Sequence, residues 1–226
     1  MPHHPLDNAI WNALNSSWAP FAQGGESARR LAAPYGPFAA TIDTSAKSLQ
    51  GLAELDFGDI GLWFLQPEAQ PPSPGTQVTT SAAGLQMILE ELRETETGFE
   101  ICDLTEDDAG DMLALATLTK PGPYTTLTHR LGDFVGIKVD GRLVAMAGER
   151  MKMPGFSEVS GVCSHPDFRG RGYAAALIRT VSRRMTARGE TPFLHTYADN
   201  ETAISLYRGL GFVPRKYVVL TVLSRV

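Results

Sequence analysis

Residues 169–174 read Arg-Gly-Arg-Gly-Tyr-Ala, between a β-rich run at 158–164 and an amphipathic run at 173–188. A turn that opens a helix leaves backbone N–H groups unpaired at the positive end of the helix dipole, which makes an anion site. Gly170 and Gly172 allow close approach of a phosphate and dihedrals that other residues avoid. Arg169 and Arg171 add positive charge. This spacing asks for a phosphate or pyrophosphate. Two glycines around an arginine also suit an ordinary tight turn. A Walker loop is excluded, because no Gly-Lys-Ser/Thr follows. A dinucleotide fingerprint fits poorly. Ala175 takes its third glycine position, and Glu190, followed by Pro192, is a poor match for the acidic residue expected about 20 positions on.

Other reactive side chains carry less. Cys102 and Cys163 are too far apart in sequence for a CxxC motif, and Cys163, between Val162 and Ser164, reads as a small buried strand residue. His165 and His195 have no partner at ligand spacing, so no metal is expected. The formal net charge of −5 argues against a general nucleic-acid binder and mildly favours a cationic acceptor, although net charge says little about a cleft. No apolar run is long enough to cross a membrane, and Met1–Pro5 does not resemble a leader, so a cytoplasmic protein with no membrane partner is expected.

The elements that must position the turn can be read in order. Residues 67–75, PEAQPPSPG, hold four prolines and read as a linker. Before it, residues 1–66 suggest a small α+β unit, with helices at 9–14 and 45–55 and strands at 37–42 and 60–65. Residues 85–92 read as a connecting helix or crossover, closing a linker unit of 67–94. Residues 95–226 then alternate. Strands are expected at 99–104, 134–139, 143–151, 158–164, 193–197 and 212–223, and helices at 107–118, 173–188 and 200–210. Asp140-Gly141 marks a hairpin. The fold class is α+β: a mixed, largely antiparallel sheet flanked by helices, with the smaller N-terminal segment beside it.

The stretch Val162-Cys163-Ser164-His165-Pro166-Asp167-Phe168-Arg169-Gly170-Arg171-Gly172-Tyr173-Ala174 resembles the acetyl-CoA motif of the GNAT superfamily. The family pattern Arg/Gln-x-x-Gly-x-Gly/Ala is met by Arg169, Gly172 and Ala174. A second family segment, Asn-x-x-Ala-x-x-x-Tyr-x-x-x-Gly-Phe, is matched in order by Asn200, Ala203, Tyr207, Gly211 and Phe212. The resemblance covers about residues 97–226 and leaves the first 66 unassigned. It implies an N-acetyltransferase moving an acetyl group from acetyl-CoA to a primary amine, on a small molecule or a peptide, by direct attack in a ternary complex. It also implies that the strand before the turn splays from its neighbour, so that Val162, Cys163 and Ser164 pair with the pantetheine arm. The pyrophosphate would sit on residues 169–174, and Asn200 would cap its helix and reach the pantetheine. Tyr207 would be the general acid. Glu158 would be the base, with Glu149 a second candidate and water a third. Strand alternation expects Glu158, Ser160 and Val162 on one face, and Glu149 with Met151. Arg179, Arg183, Arg184 and Arg188 read as a solvated helix face within reach of the cofactor's 3′-phosphate. A longer acyl donor, a non-catalytic acyl-CoA-binding module and a homodimer remain open at this point.

Overall fold

The computed structural model describes residues 4–95 and 98–226; Met1 to His3, and with them part of the N-terminal tail read above, lie outside the described residues. Helix α1 is Ala9–Leu14, α2 Ala46–Ala53, α3 Ala109–Thr119, α4 Tyr173–Ala187 and α5 Glu201–Leu210. The strands are β1 Ala22–Gly24, β2 Ala28–Leu31, β3 Ala39–Thr41, β4 Leu62–Gln66, β5 Thr76–Leu89, β6 Cys102–Leu104, β7 Phe134–Val139, β8 Arg142–Met153, β9 Phe156–Ser164, β10 Thr191–Tyr197 and β11 Phe212–Arg225. Strands β1 to β3 make a small antiparallel sheet. The other eight form one sheet in the order β4-β11-β5-β10-β9-β8-β7-β6. Every neighbouring pair in it is antiparallel except β9 and β10. No helix of the described residues is long and apolar enough to cross a membrane.

Residues 85–92, expected as a helix or crossover, belong instead to β5 and the bend after it; β5 lies between β11 and β10 in the large sheet. The reason is burial on both faces. Leu85, Met87 and Leu89 point into the core beneath α4, while Ile88 packs on the opposite face. A short run that is buried on both sides, with Gln86 the one polar residue in it, has little strand period to read.

The two faces are covered differently. One core gathers Leu177, Ile178, Val181 and Met185 of α4 with Ile204 and Leu210 of α5 over β5, β7, β8, β9 and β10. On the other face the N-terminal segment is the cover. Leu6, Ile10, Leu14 and Trp18 pack on Met151, Met153 and Phe193, and the Trp18 indole donates to the Arg150 carbonyl at 2.9 Å. Beside them α3 buries Met112, Leu115 and Ala116 against Phe134, Met146 and Cys163. Residues 4–66 and α3 therefore share the cover of this face.

Local signals act as the residue types dictate. Asp140 and Gly141 both take positive φ, 51° and 77°, which is the turn that matches strand twist between β7 and β8. Ser45 caps α2 by accepting from the Ser48 N–H.

Candidate active site

Strands β9 and β10 run parallel but pair over only three residues, Thr191↔Phe156, Pro192↔Ser157 and Phe193↔Glu158. Beyond Glu158 they part. On the far side β9 stays paired with β8 up to Ser164, so the edge of β9 that faces β10 carries free backbone groups from Val159 on. The splay expected of the strand before the turn is thus present, with Glu158 at its vertex.

At the far end of that free edge comes the glycine turn. Gly170 and Gly172 have φ of 75° and 86°, and α4 starts directly from Gly172 without a side-chain cap. The first N–H groups of α4 therefore lack an intrahelical partner. A Cβ at Gly170 would meet nothing within 4 Å, and one at Gly172 only the Phe99 ring at 3.8 Å, so the turn is an open surface. Arg169 and Arg171 are exposed there, with the Arg171 guanidinium 4.8 Å from the centre of the Phe168 ring. Tyr173 packs edge-on against Phe99. The donor set fits a pyrophosphate, and the unpaired edge leading to it fits an amide-bearing arm.

Gly161 changes the faces of β9. Its φ is 64°, and the register to β8 slips by one residue between Cys163 and Ser160. This bulge puts Val162 with Val159 in the core under α4, so Val162 does not share a face with Glu158 as strict alternation expects. A second shift, between Glu149 and Lys152, separates Glu149 from Met151 in the same way. Met151 joins the core under the N-terminal segment, while Glu149 accepts from Lys152 and Arg188, each at 2.6 Å.

Glu158 is 1% exposed. Arg150 grips it with two bonds, Nε to Oε2 at 2.8 Å and Nη2 to Oε1 at 2.9 Å, and His195 Nδ1 lies 2.8 Å from Oε1. Burial alone would raise its carboxyl, but Arg150 and His195 outweigh it and hold the group down at about 2. A carboxylate so held is a weak proton acceptor at neutral pH. Glu158 thus ties Arg150 and His195 together at the fork vertex.

The anchor continues across the sheet. Arg215 donates to Gln86 Oε1 at 2.6 Å, so the Gln86 amide nitrogen must face the Leu6 carbonyl and His195 Nε2, both at 3.0 Å. His195 Nε2 is then an acceptor, which leaves the proton on Nδ1 to be donated to Glu158. Arg215 also reaches Asp7 at 2.7 Å. Five adjacent strands and the N-terminal segment thus contribute one polar chain, buried at Arg150, Glu158 and Gln86 and partly buried toward its Asp7 end: Arg150, Glu158, His195, Gln86, Arg215 and Asp7. Sequence reasoning missed Arg150, Gln86 and the role of His195. The register His195↔Gln86 that aligns them belongs to β5, the strand read as a connection.

Tyr207 stands on α5, edge-on to Phe212. Burial, with the Glu158 charge adding to it, raises its hydroxyl above the usual tyrosine value and keeps it protonated. Asn200 caps α5, its Oδ1 accepting from the Ala203 N–H at 3.1 Å. Arg179, Arg183 and Arg184 of α4, and Arg188 at its C-terminal cap, have partners within the protein. Arg179 donates to the Arg93 carbonyl, Arg183 pairs with Glu94, Arg184 with Asp103, and Arg188 with Glu149 and Glu190. Arg183, Arg184 and Arg188 remain solvent-exposed in these pairs, as expected of a solvated face.

On the face opposite α4 a shallow depression lies beside the fork. Tyr124, Thr128, Phe134, Arg150, Ser160 and Gly161 line it, under the loop after α3. The N-terminal segment pins that loop, because Pro34 O accepts from Leu127 N at 2.7 Å and Tyr35 O from Thr128 Oγ1 at 3.0 Å.

These features can be set beside known proteins. Residues 134–219 match the family described as FR47-like protein. An acetyltransferase of Pectobacterium atrosepticum is 36% identical over 89 residues, and an N-alpha-acetyltransferase RimI of Mycobacterium tuberculosis is 37% identical over 99 residues. These alignments take in 38% and 41% of this chain, and the chain spans 61% of the length of each. The crystal structure of a putative acetyltransferase from the GNAT family of Novosphingobium aromaticivorans superposes with a TM-score of 0.92. It is 45% identical, over 99% of this chain and 100% of that one. A GCN5-related N-acetyltransferase from Kribbella flavida, 17% identical with a TM-score of 0.65 over 96% of this chain and 95% of that one, shares the fold. With the splayed strands, the glycine turn and a full-length relative at that identity, the chain belongs to the GNAT family.

Proposed function

We propose that the protein is an N-acetyltransferase that moves an acetyl group from acetyl-CoA to a primary amine by direct attack within a ternary complex. The observation that carries this is the end of β9–β10 pairing at Glu158, which leaves one free strand edge running straight into an anion-binding helix start. The backbone of Val162, Cys163 and Ser164 receives the pantetheine arm. The N–H groups of residues 169–174, including those of Tyr173 and Ala174, hold the pyrophosphate, with Arg169 and Arg171 beside it. Asn200 has spent its carbonyl on the cap and keeps its amide N–H for the pantetheine.

The amine approaches from the depression through Ser160 and Gly161. Its nitrogen attacks the thioester carbonyl carbon, the C–S bond breaks, and the thiolate takes the Tyr207 proton. The amine's proton leaves to solvent at the depression, because Glu158 is already saturated with donors. We assign Glu158 the task of fixing Arg150 and the fork vertex. Release of free thiol from acetyl-CoA with a panel of primary amines, with the acetylated amine identified by mass, tests this reading. Thiol release without an acetylated product, or no amine-dependent release at all, would contradict it.

A further inference from the structure

We infer that His195 sets the length of the acyl group that the enzyme accepts. Its hydrogen bond to Glu158, across the gap where β9 and β10 part, holds the fork at the width of a short acyl group, so that acetyl-CoA is preferred over longer acyl-CoA donors. His195 acts through Glu158 and is a positioning residue. The inference rests on the acetyltransferase reading and adds the residue that determines donor specificity.

The backbone ladder between the two strands ends at Phe193↔Glu158. His195 lies two residues further along β10 and on the same face as Phe193, their rings 5.7 Å apart. Its Nδ1 reaches back to Glu158 Oε1 at 2.8 Å, the one side-chain hydrogen bond that joins β9 to β10 among the described residues. The two side chains are only 6% and 1% exposed. Both ends are also fixed from behind. Arg150 of β8 grips the carboxylate on both oxygens. Gln86 of β5 stands opposite His195 in the register and donates to its Nε2 at 3.0 Å. Gln86 cannot turn its amide round without losing Arg215, which donates to its Oε1. A bond anchored at both ends acts as a tie. β10 cannot swing away from β9 without breaking a charge-assisted hydrogen bond in a site closed to water.

The tie lies where the acyl end of the donor must come. The pyrophosphate sits at residues 169–174, and the pantetheine arm runs from there along the free edge of β9 toward the vertex. The acyl group is then the part of the donor nearest the point where the strands close. That point is already packed from both faces. Phe193 is buried on the side of the N-terminal segment, and Val159 and Leu194 are buried under α4 on the other. An acetyl group needs no opening of the strands, while each further carbon pushes them apart against the tie. In a tight site one methylene is worth roughly 10–200-fold in discrimination.

Wild-type protein is assayed with acetyl-, propionyl-, butyryl- and hexanoyl-CoA and the best primary amine of the panel. The expected kcat/KM falls by at least about tenfold for each added methylene as far as butyryl. His195→Leu removes the tie. It should lower the use of acetyl-CoA and narrow the acetyl-to-butyryl ratio by about tenfold or more. His195→Asn sets an amide N–H close to the place of Nδ1 and should restore the wild-type ranking of donors. Gln86→Leu frees the far side of the ring and should narrow the ratio by a smaller factor, which decides the matter if His195→Leu does not fold. Urea unfolding identifies the variants that fold. A loss of stability alone lowers the use of all donors together. Such a proportional loss in a folded His195→Leu or Gln86→Leu protein overturns the inference and leaves the acetyltransferase reading intact. Wild-type use of butyryl- or hexanoyl-CoA as good as that of acetyl-CoA does the same. No turnover of any amine with any donor overturns both.

Discussion

Replacing Glu158 by glutamine keeps the shape of the side chain and removes its charge. In the folded protein this carboxyl is held at about 2, against an ordinary value of 4.5. That difference corresponds to about 3 kcal/mol of stability at neutral pH. A second route gives the same size, since breaking a buried ion pair by removing one partner typically costs about 3–5 kcal/mol. The sign follows from the depressed value. The contribution is complete above pH 4.5 and is lost as the pH falls toward 2, because protons then bind the unfolded chain first. Urea unfolding of wild type and Glu158→Gln, followed by circular dichroism, should show a gap of about 3 kcal/mol at pH 7. Repeated at steps down to the lowest pH at which both fold, the gap should narrow. A gap below about 1 kcal/mol at pH 7, or one that stays constant through the acid range, would refute the claim that Arg150 and His195 hold Glu158 ionised.

Tyr207→Phe should lower kcat by about a hundredfold or more with little change in CoA affinity, since only the proton donor is lost; near-normal kcat on the best acceptor would assign the acid elsewhere. Gly172→Asp places a side chain at φ 86° and a negative charge on the anion turn, so CoA binding measured by calorimetry should be largely lost while the melting temperature stays close to wild type. Trp18→Ala opens the core under the N-terminal segment, where Trp18 is 1% exposed, and should cost about 3–5 kcal/mol in urea unfolding.

Much of the site was legible because its residues are local in sequence. The turn at 169–174, the strand before it and the helix after it form one continuous stretch, and Asn200 to Phe212 form another. Within each, a glycine or a cap announces itself by type. The polar chain was not legible, because it is made by register. Arg150, Glu158, His195, Gln86 and Arg215 sit side by side only when five strands align. Two of those alignments depend on shifts, at Glu149–Lys152 and at Pro214–Lys216, that alternation does not foresee. Another shift, at Gly161, turned Val162 to the opposite face from the one expected. Strand β5 escaped notice for a related reason. Its first half is mostly small, polar and exposed after a proline-rich run, and its second half is buried on both faces. The cover on the second face escaped as well, since residues 4–66 act through scattered side chains such as Leu6, Trp18 and Phe38.

The central claim is that the free edge of β9 and the glycine turn together form the seat of CoA. Hydrogen–deuterium exchange of the whole protein, with and without saturating CoA, reads this directly. Exchange should slow in peptides covering residues 159–174 and at the start of α5 near Asn200, and stay unchanged in β1 to β3 on the N-terminal segment. Protection confined to the N-terminal segment, with residues 159–174 exchanging as fast as without CoA, would contradict the account.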